Sequence, residues 1–281
     1  MRTIVVLLSL TACAVSPDPA AGDIVQAGAL ELEVPPPGEV ASIIVEYEDG
    51  TTDELALANV AGVVTVFTAE NDPLVLTALS TAPCQDGAYK RAGHHWTTDY
   101  RWHFQAGSTP SENNKDNVET GLVHAANAIA NSRNDCGLDD RVSATNTYAG
   151  RTTQAPNVRV TDAGAIRCTA RDDVNAVGFG PLPGATLAVA CSWWDGDGHS
   201  LEGDVRISTH HNWFPLDVPS GCSNRFGIEA VMTHEFGHVF GLAHVSESNH
   251  PNLTMSPLLA PCSNAPFTLG LGDVRGLRAL Y

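Results

Sequence analysis

The apolar positions of the chain fall into distinct patterns. Ile4 to Leu10 is a short, nearly unbroken apolar run behind a single basic residue, Arg2. Val40 to Tyr47 is rich in β-branched residues, Asp49-Gly50 follows as a turn signal, and Leu55-Ala56-Leu57 and Val63 to Phe67 continue the β character. Beyond Cys84, Tyr100 to Phe104 reads as a strand. Val118, Leu122, Ala125, Ala126 and Ile129 then recur at helical spacing. The spacing predicts a helix opened by Ser111-Glu112-Asn113-Asn114, running to about Arg133 and ended by Asn134 to Gly137. Asn157 to Val160, Thr186 to Cys191 and Gly203 to Ser208 read as strands, with helices from about Arg225 and about Gly272. Strand, helix, several strands, helix, helix is an α+β order.

The division of the chain follows from these patterns. Residues 1–12 have the grammar of a signal peptide, too short to span a bilayer. Leu10-Thr11-Ala12-Cys13 resembles a bacterial lipobox with Cys13 as the lipid-bearing residue, and Ala12-Cys13-Ala14 also fits ordinary cleavage. Both readings predict a bacterial exported protein, either anchored at the outer surface or secreted. A membrane is then a partner only through a lipid on Cys13. Residues 13–37, with Pro17, Pro19 and the Pro35-Pro36-Pro37-Gly38 breaker, read as a tether. Residues 38–80 read as a small β module or pro-segment with no residue suggesting chemistry, and residues 84–281 as the main domain.

Charge sharpens that boundary. The net charge is −17. Residues 14–90 hold 13 acids and one base, whereas all 11 histidines lie at or after His94. A chain this acidic lacks the basic face that displaces counterions from phosphate backbones, so nucleic acid is excluded as a partner. Seven cysteines, less Cys13, leave six. In an exported protein six predict three disulfides, and sequence order suggests Cys84–Cys136, Cys168–Cys191 and Cys222–Cys262.

The chemistry sits in His234-Glu235-Phe236-Gly237-His238-Val239-Phe240-Gly241-Leu242-Ala243-His244. Residues i and i+4 share a helix face, so His234 and His238 can aim two imidazoles at one point. Gly241 can end the helix at positive φ and swing His244 back as a third. Three nitrogen ligands leave one position open, the arrangement of a catalytic zinc site. Glu235, beside the first ligand, is placed to take the proton of a water activated there.

This stretch resembles the H-E-x-x-H-x-x-G-x-x-H signature of the metzincin metalloproteases. Met255-Ser256-Pro257 resembles the methionine turn of the matrixins. Leu269 to Tyr281 is similar to their C-terminal helix. The resemblance implies a twisted mixed sheet with an active-site helix, a C-terminal helix and a Met-turn. It also implies one catalytic zinc on His234, His238 and His244, Glu235 as general base, and protein or peptide substrates. Gly203 to Trp213 departs from the matrixin pattern: Arg206 stands where a structural-zinc histidine would be, Ser208 where a calcium Asp would be, and His211 where a Glu would be. An arginine cannot ligate zinc, so a second zinc of that type is not expected.

Other candidates are weighed beside it. Cys84 lacks the Pro-Arg-Cys-Gly context of a matrixin cysteine switch and is expected in a disulfide. Asp195-Gly196-Asp197-Gly198, with Glu202 and Asp204, could offer oxygens to Ca2+, but Asp-Gly is first a hairpin signal. His94-His95, His103, His199 and His210-His211 lack partners at metal spacing, and Trp193-Trp194 are expected to pack or flank the cleft. The function these residues predict is a zinc metalloendopeptidase of extracellular proteins. The rival is a catalytically silent, lipid-anchored zinc-binding protein that keeps the metzincin shell.

Overall fold

A computed structural model describes residues 3–5, 19–60, 62–69 and 81–281. The expected leader beyond Val5, Cys13 and its lipidation, and residues 70–80 lie outside the described residues.

The strands that frame the molecule are β1 (Ile24–Ala27), β2 (Leu30–Glu33), β3 (Glu39–Tyr47), β4 (Thr52–Val60), β5 (Val63–Ala69), β6 (Tyr100–Phe104), β7 (Asn146–Arg151), β8 (Val158–Val160), β9 (Ile166–Cys168), β10 (Asn175–Gly180), β11 (Thr186–Asp195) and β12 (Ser200–Ser208). The helices are α1 (Lys115–Ala130), α2 (Ile228–Val239) and α3 (Leu271–Leu280). Eight strands form one mixed sheet in the order β5-β4-β3-β11-β12-β10-β6-β7. The β12-β10-β6-β7 part is parallel, and β11 runs antiparallel to both β12 and β3.

Each sheet face has its own core. On one face lie α1 and α2, with Trp102, Phe104, Leu122, Ile129, Phe236 and Phe240 fully buried. On the other, Leu30, Leu32, Ile43, Val45, Leu55 and Leu57 pack against Val189, Cys191 and Trp193. A smaller sheet covers this second face. In it β2 pairs in parallel with β9, and Thr3–Val5 lies parallel beside β1. The Cys168–Cys191 disulfide ties β9 to β11, and so the small sheet to the large one. The other bridges are Cys84–Cys136 and Cys222–Cys262, so all three follow sequence order.

The α+β class and the main helices match expectation. Asn114 caps α1, accepting from the amides of Asp116 and Asn117 at 2.9 and 3.1 Å. This starts the helix later than Ser111, because Asn114 is the residue with both extended backbone and a side chain that reaches the free amides. The stretch read as a tether differs. Residues 24–33 form the β1–β2 hairpin, whose Val25, Leu30 and Leu32 are core. Their strands are four residues each, too short to show a period, and β2 is held by a partner, β9, from far along the chain. The three strands of residues 39–69 do not pack as a separate sheet. They extend the sheet of the main domain, β3 pairing with β11 along its whole length.

Candidate metal centre

Helix α2 is buried on every side, yet it carries charged groups. His234 and His238, one turn apart, face the same way with their Nε2 atoms 2.9 Å from each other. Gly241, at φ +92°, turns the chain, and a Cβ there would overlap the His94 carbonyl oxygen. Only glycine therefore fits both the conformation and the contact. The turn delivers His244, whose Nε2 lies 3.0 Å from that of His238 and 3.2 Å from that of His234.

The other side of each α2 imidazole is already engaged. His234 Nδ1–H donates to the Thr254 carbonyl at 2.6 Å, and His238 Nδ1–H donates to the Leu242 carbonyl at 3.0 Å. These bonds turn Nε2 of both rings to a common point; in the neutral ring Nε2 is the lone pair a metal takes, and a proton there pairs with Glu46 instead. Lone pairs this close repel unless a cation lies among them. Ligands about 2.0–2.1 Å from a tetrahedral zinc stand about 3.3 Å apart, close to the spacing here. The residues present therefore fit zinc.

The floor is built from the Met255 turn. Met255 Sδ packs against Gly237 so closely that a Cβ there would overlap it. The buried Asp273 carboxylate of α3 pins this turn, accepting from Thr254 N at 2.9 Å, Met255 N at 3.1 Å and Gly270 N at 2.9 Å. The carbonyl that orients His234 is thus set by α3. Tyr281 closes the far end of α2: its hydroxyl donates to the Phe240 carbonyl at 3.0 Å and accepts from Trp96 N at 3.1 Å.

Glu235 is fully buried, and neither carboxylate oxygen has a hydrogen-bond partner among the described residues. Burial pushes its carboxyl well above the usual range, the nearby Glu46 charge adds to that, and His238 opposes it. A buried acid with no partner is costly unless something else completes it, which points to a reactive site.

A fourth donor comes from outside this motif. Glu46, near the end of β3, is fully buried and directs Oε1 at the three imidazoles. It contacts His234 Nε2 directly, and it lies 2.7 Å from His244 Nε2 and 3.7 Å from His238 Nε2. These four residues form one cluster able to hold a metal ion. Burial alone would raise the Glu46 carboxyl, but the attraction of His234 and hydrogen bonds with all three histidines outweigh it and hold it well below the ordinary range. At His234, burial works against the charged ring, yet Glu46 and the Thr254 carbonyl prevail and raise it. Burial and His238 instead push His244 down to about 3, against the pull of Glu46.

The matrixin family model (peptidase M10) matches residues 86–281. The chain belongs to the matrixin family. Matrix metalloproteinase-20 of Homo sapiens is 34% identical over 99 residues, which is 35% of this chain and 18% of that protein. Matrilysin of Felis catus is 33% identical over 99 residues, 35% of this chain and 33% of that protein. Neutrophil collagenase of Homo sapiens is 29% identical over 101 residues, 36% of this chain and 19% of that protein. The chain thus spans about a third or less of the length of these relatives.

The matrixin match begins after Glu46, so the fourth donor lies in a segment that the family does not cover. Residues 38–80 are expected to carry no chemistry, yet Glu46 lies in the cluster able to hold a metal ion. The one available signal was an acid at a core-facing position: in β3, Ala41, Ile43 and Val45 fill the second core, while Ser42, Ile44 and Glu46 face the other way and are equally buried.

The remaining candidates of this matrixin fall outside the cluster. Cys84 is in its disulfide. His94 stacks on Trp194 at 4.6 Å and sits 2.9 Å from Ser200 Oγ. His211 Nε2–H donates to the Thr186 carbonyl at 3.1 Å. Asp195 closes the β11–β12 hairpin, accepting from the amides of Asp197 and His199. Glu202 and Asp204 point elsewhere and accept amides of Asp172, Asp173, Asn157 and Ala176. Arg206 lies against Gly180, its guanidinium 3.4 Å from the Pro156 carbonyl.

Proposed function

We propose that the chain is a zinc-dependent metalloendopeptidase that cleaves exported or extracellular proteins and peptides. The observation that carries this reading is the convergence of three imidazoles, two of them oriented through Nδ1 by backbone carbonyls, beside a buried carboxylate with no hydrogen-bond partner among the described residues. His234, His238 and His244 would hold the metal. Zinc held there supplies Lewis-acid polarisation of the scissile carbonyl and of the attacking water.

The rest of the chemistry belongs to the chain's own groups. Glu235 accepts the proton of the attacking water on a carboxylate oxygen and passes it to the leaving amine nitrogen, so the proton balance closes within one residue. Burial, which raises its proton affinity, suits a group that must both take and return a proton. The Thr254 and Leu242 carbonyls keep two rings in register, and Asp273 keeps Thr254 in place. Met255 and the Pro257-Leu258-Leu259 segment supply the floor and wall for the residue after the cut. Export is supported by three disulfides, which persist in oxidising compartments. The leader reading of residues 1–12 agrees with it.

The test pairs zinc content with cleavage of a peptide library on the same samples. One zinc per chain is expected in wild type and in Glu235→Ala, and His238→Ala should lose it. Any cleavage by the chain should fall by roughly 10²–10⁴-fold in Glu235→Ala, the span of general-base contributions. Measurable cleavage that is equal in wild type and Glu235→Ala at equal zinc content would remove Glu235 from the mechanism.

A further inference from the structure

The segment that presents Glu46 lies across the cleft at three points. At the metal end, Glu46 pairs across the sheet with Ala188 and directs its carboxylate at the histidines. Two residues further, the Glu48 carboxylate stands 3.7 Å from His211 Nδ1. At the tip of the β3–β4 hairpin, Gly50 lies so close to Leu258 that a Cβ there would be 2.9 Å from the Leu258 Cβ. The hairpin therefore spans from β11 to the wall segment after Met255. A peptide could add to the free edge of β11 as a strand, the general way an extended chain binds a sheet. With β3 paired along Thr186 to Asp195, that edge is taken.

The segment is also held in a way that permits release. No cysteine lies between residues 14 and 83, so none of the three disulfides crosses to it. It is fixed by apolar packing of Ile43, Val45, Leu55 and Leu57 on Val189 and Trp193, and by ion pairs. Arg167 binds Glu31, and Arg171 binds Glu39 at 3.1 Å. The acidic N-terminal segment thus finds basic partners within the matrixin domain itself.

We propose that Glu46 is a fourth protein ligand to the metal, and that the β3–β4 hairpin is an in-cis plug of the cleft that keeps the chain latent while it stays in place. The latency half rests on the peptidase reading; the ligand half does not. A segment tethered in cis competes at an effective concentration on the order of millimolar, enough to exclude substrates present at micromolar levels.

The test uses the full chain as wild type, Glu46→Ala and Glu46→Gln, each stripped of metal and reloaded with one equivalent of Co2+ or Zn2+. The isosteric Gln variant keeps the question open to measurement if Ala disturbs folding, and far-UV circular dichroism checks both. The visible Co2+ absorption reports the donor set, and the rate of Zn2+ loss to a chelator reports its completeness. Both variants are expected to shift the Co2+ bands, to release Zn2+ about tenfold faster or more, and to cleave a quenched peptide library at least about tenfold faster than wild type. Spectra and release rates identical to wild type would overturn the proposal, whatever the cleavage rates. Altered spectra and release with measurable cleavage that equals wild type would overturn the plug. Altered spectra with no cleavage by any chain would uphold the ligand and sink the peptidase reading instead.

Discussion

A single methyl group at Gly241 probes how the site is built. It ends the helix that carries two of the histidines and turns the chain to the third. Gly241→Ala faces two separate costs. An L-residue at φ +92° is strained by about 1–2 kcal/mol. The new Cβ also overlaps the His94 carbonyl oxygen, a backbone atom that cannot rotate aside. Forced repacking of this kind costs typically about 1–3 kcal/mol. The sum is roughly 2–5 kcal/mol, on the order of 10 °C in melting temperature for a domain of this size. Relief must come from a shift of the 240–244 turn, which would move His244 away from His238, so zinc affinity should fall by roughly tenfold or more. Gly164 supplies the control: it has φ +84° with nothing within 4 Å of an added Cβ. Gly164→Ala isolates the strain, and its cost should stay near 1–2 kcal/mol with zinc affinity unchanged. Thermal melts of metal-free protein and competition titrations with zinc read both quantities. A Gly241→Ala chain no less stable than Gly164→Ala, with wild-type zinc affinity, would refute the account of how this turn builds the site.

Asp273→Ala leaves three buried amides without their acceptor, at roughly 1 kcal/mol or more each. The melt should drop by the equivalent of about 3 kcal/mol, and zinc affinity should fall with it, because Thr254 no longer orients His234; loss of stability with zinc binding intact would break that link. Replacing Cys168 and Cys191 together by Ser opens a loop of 23 residues in sequence separation. Chain entropy puts the cost at about 3 kcal/mol, read by denaturant melts, and a change below about 0.5 kcal/mol would mean the bridge constrains little that the two sheets do not already hold.

How much of this was legible in the sequence depended on distance along the chain. His234, His238 and His244 lie within eleven residues, and helix geometry plus one glycine suffice to bring them together. The α1 stripe of Val118, Leu122, Ala125, Ala126 and Ile129 is equally local, and all five of its apolar positions are core. Compartment and parity gave the number of disulfides, and pairing the cysteines in sequence order gave their partners. What could not be read was set by remote pairing. β1 and β2 are four-residue strands whose place is fixed by β9, and they read as tether because nothing local distinguishes them. Glu46 and His244 are 198 residues apart, and only the register of β3 on β11 brings them within 2.7 Å. A slip of one residue in that register would turn Glu46 into the second core and Val45 toward the metal. No composition or motif specifies that choice; the burial of Ala41, Ile43 and Val45 does.

The central claim is that His234, His238 and His244 with Glu235 make a zinc peptidase centre. Its most direct test is cleavage mapping by mass spectrometry with zinc-loaded full-length Glu46→Ala, run against the Glu46→Ala/Glu235→Ala chain and with a chelator. The account predicts internal peptide-bond cuts that disappear with the chelator, return on adding zinc, and are absent from the doubly substituted chain although it binds one zinc. A correctly folded Glu46→Ala chain that holds one zinc and cuts nothing, or cuts equally without Glu235, would contradict it.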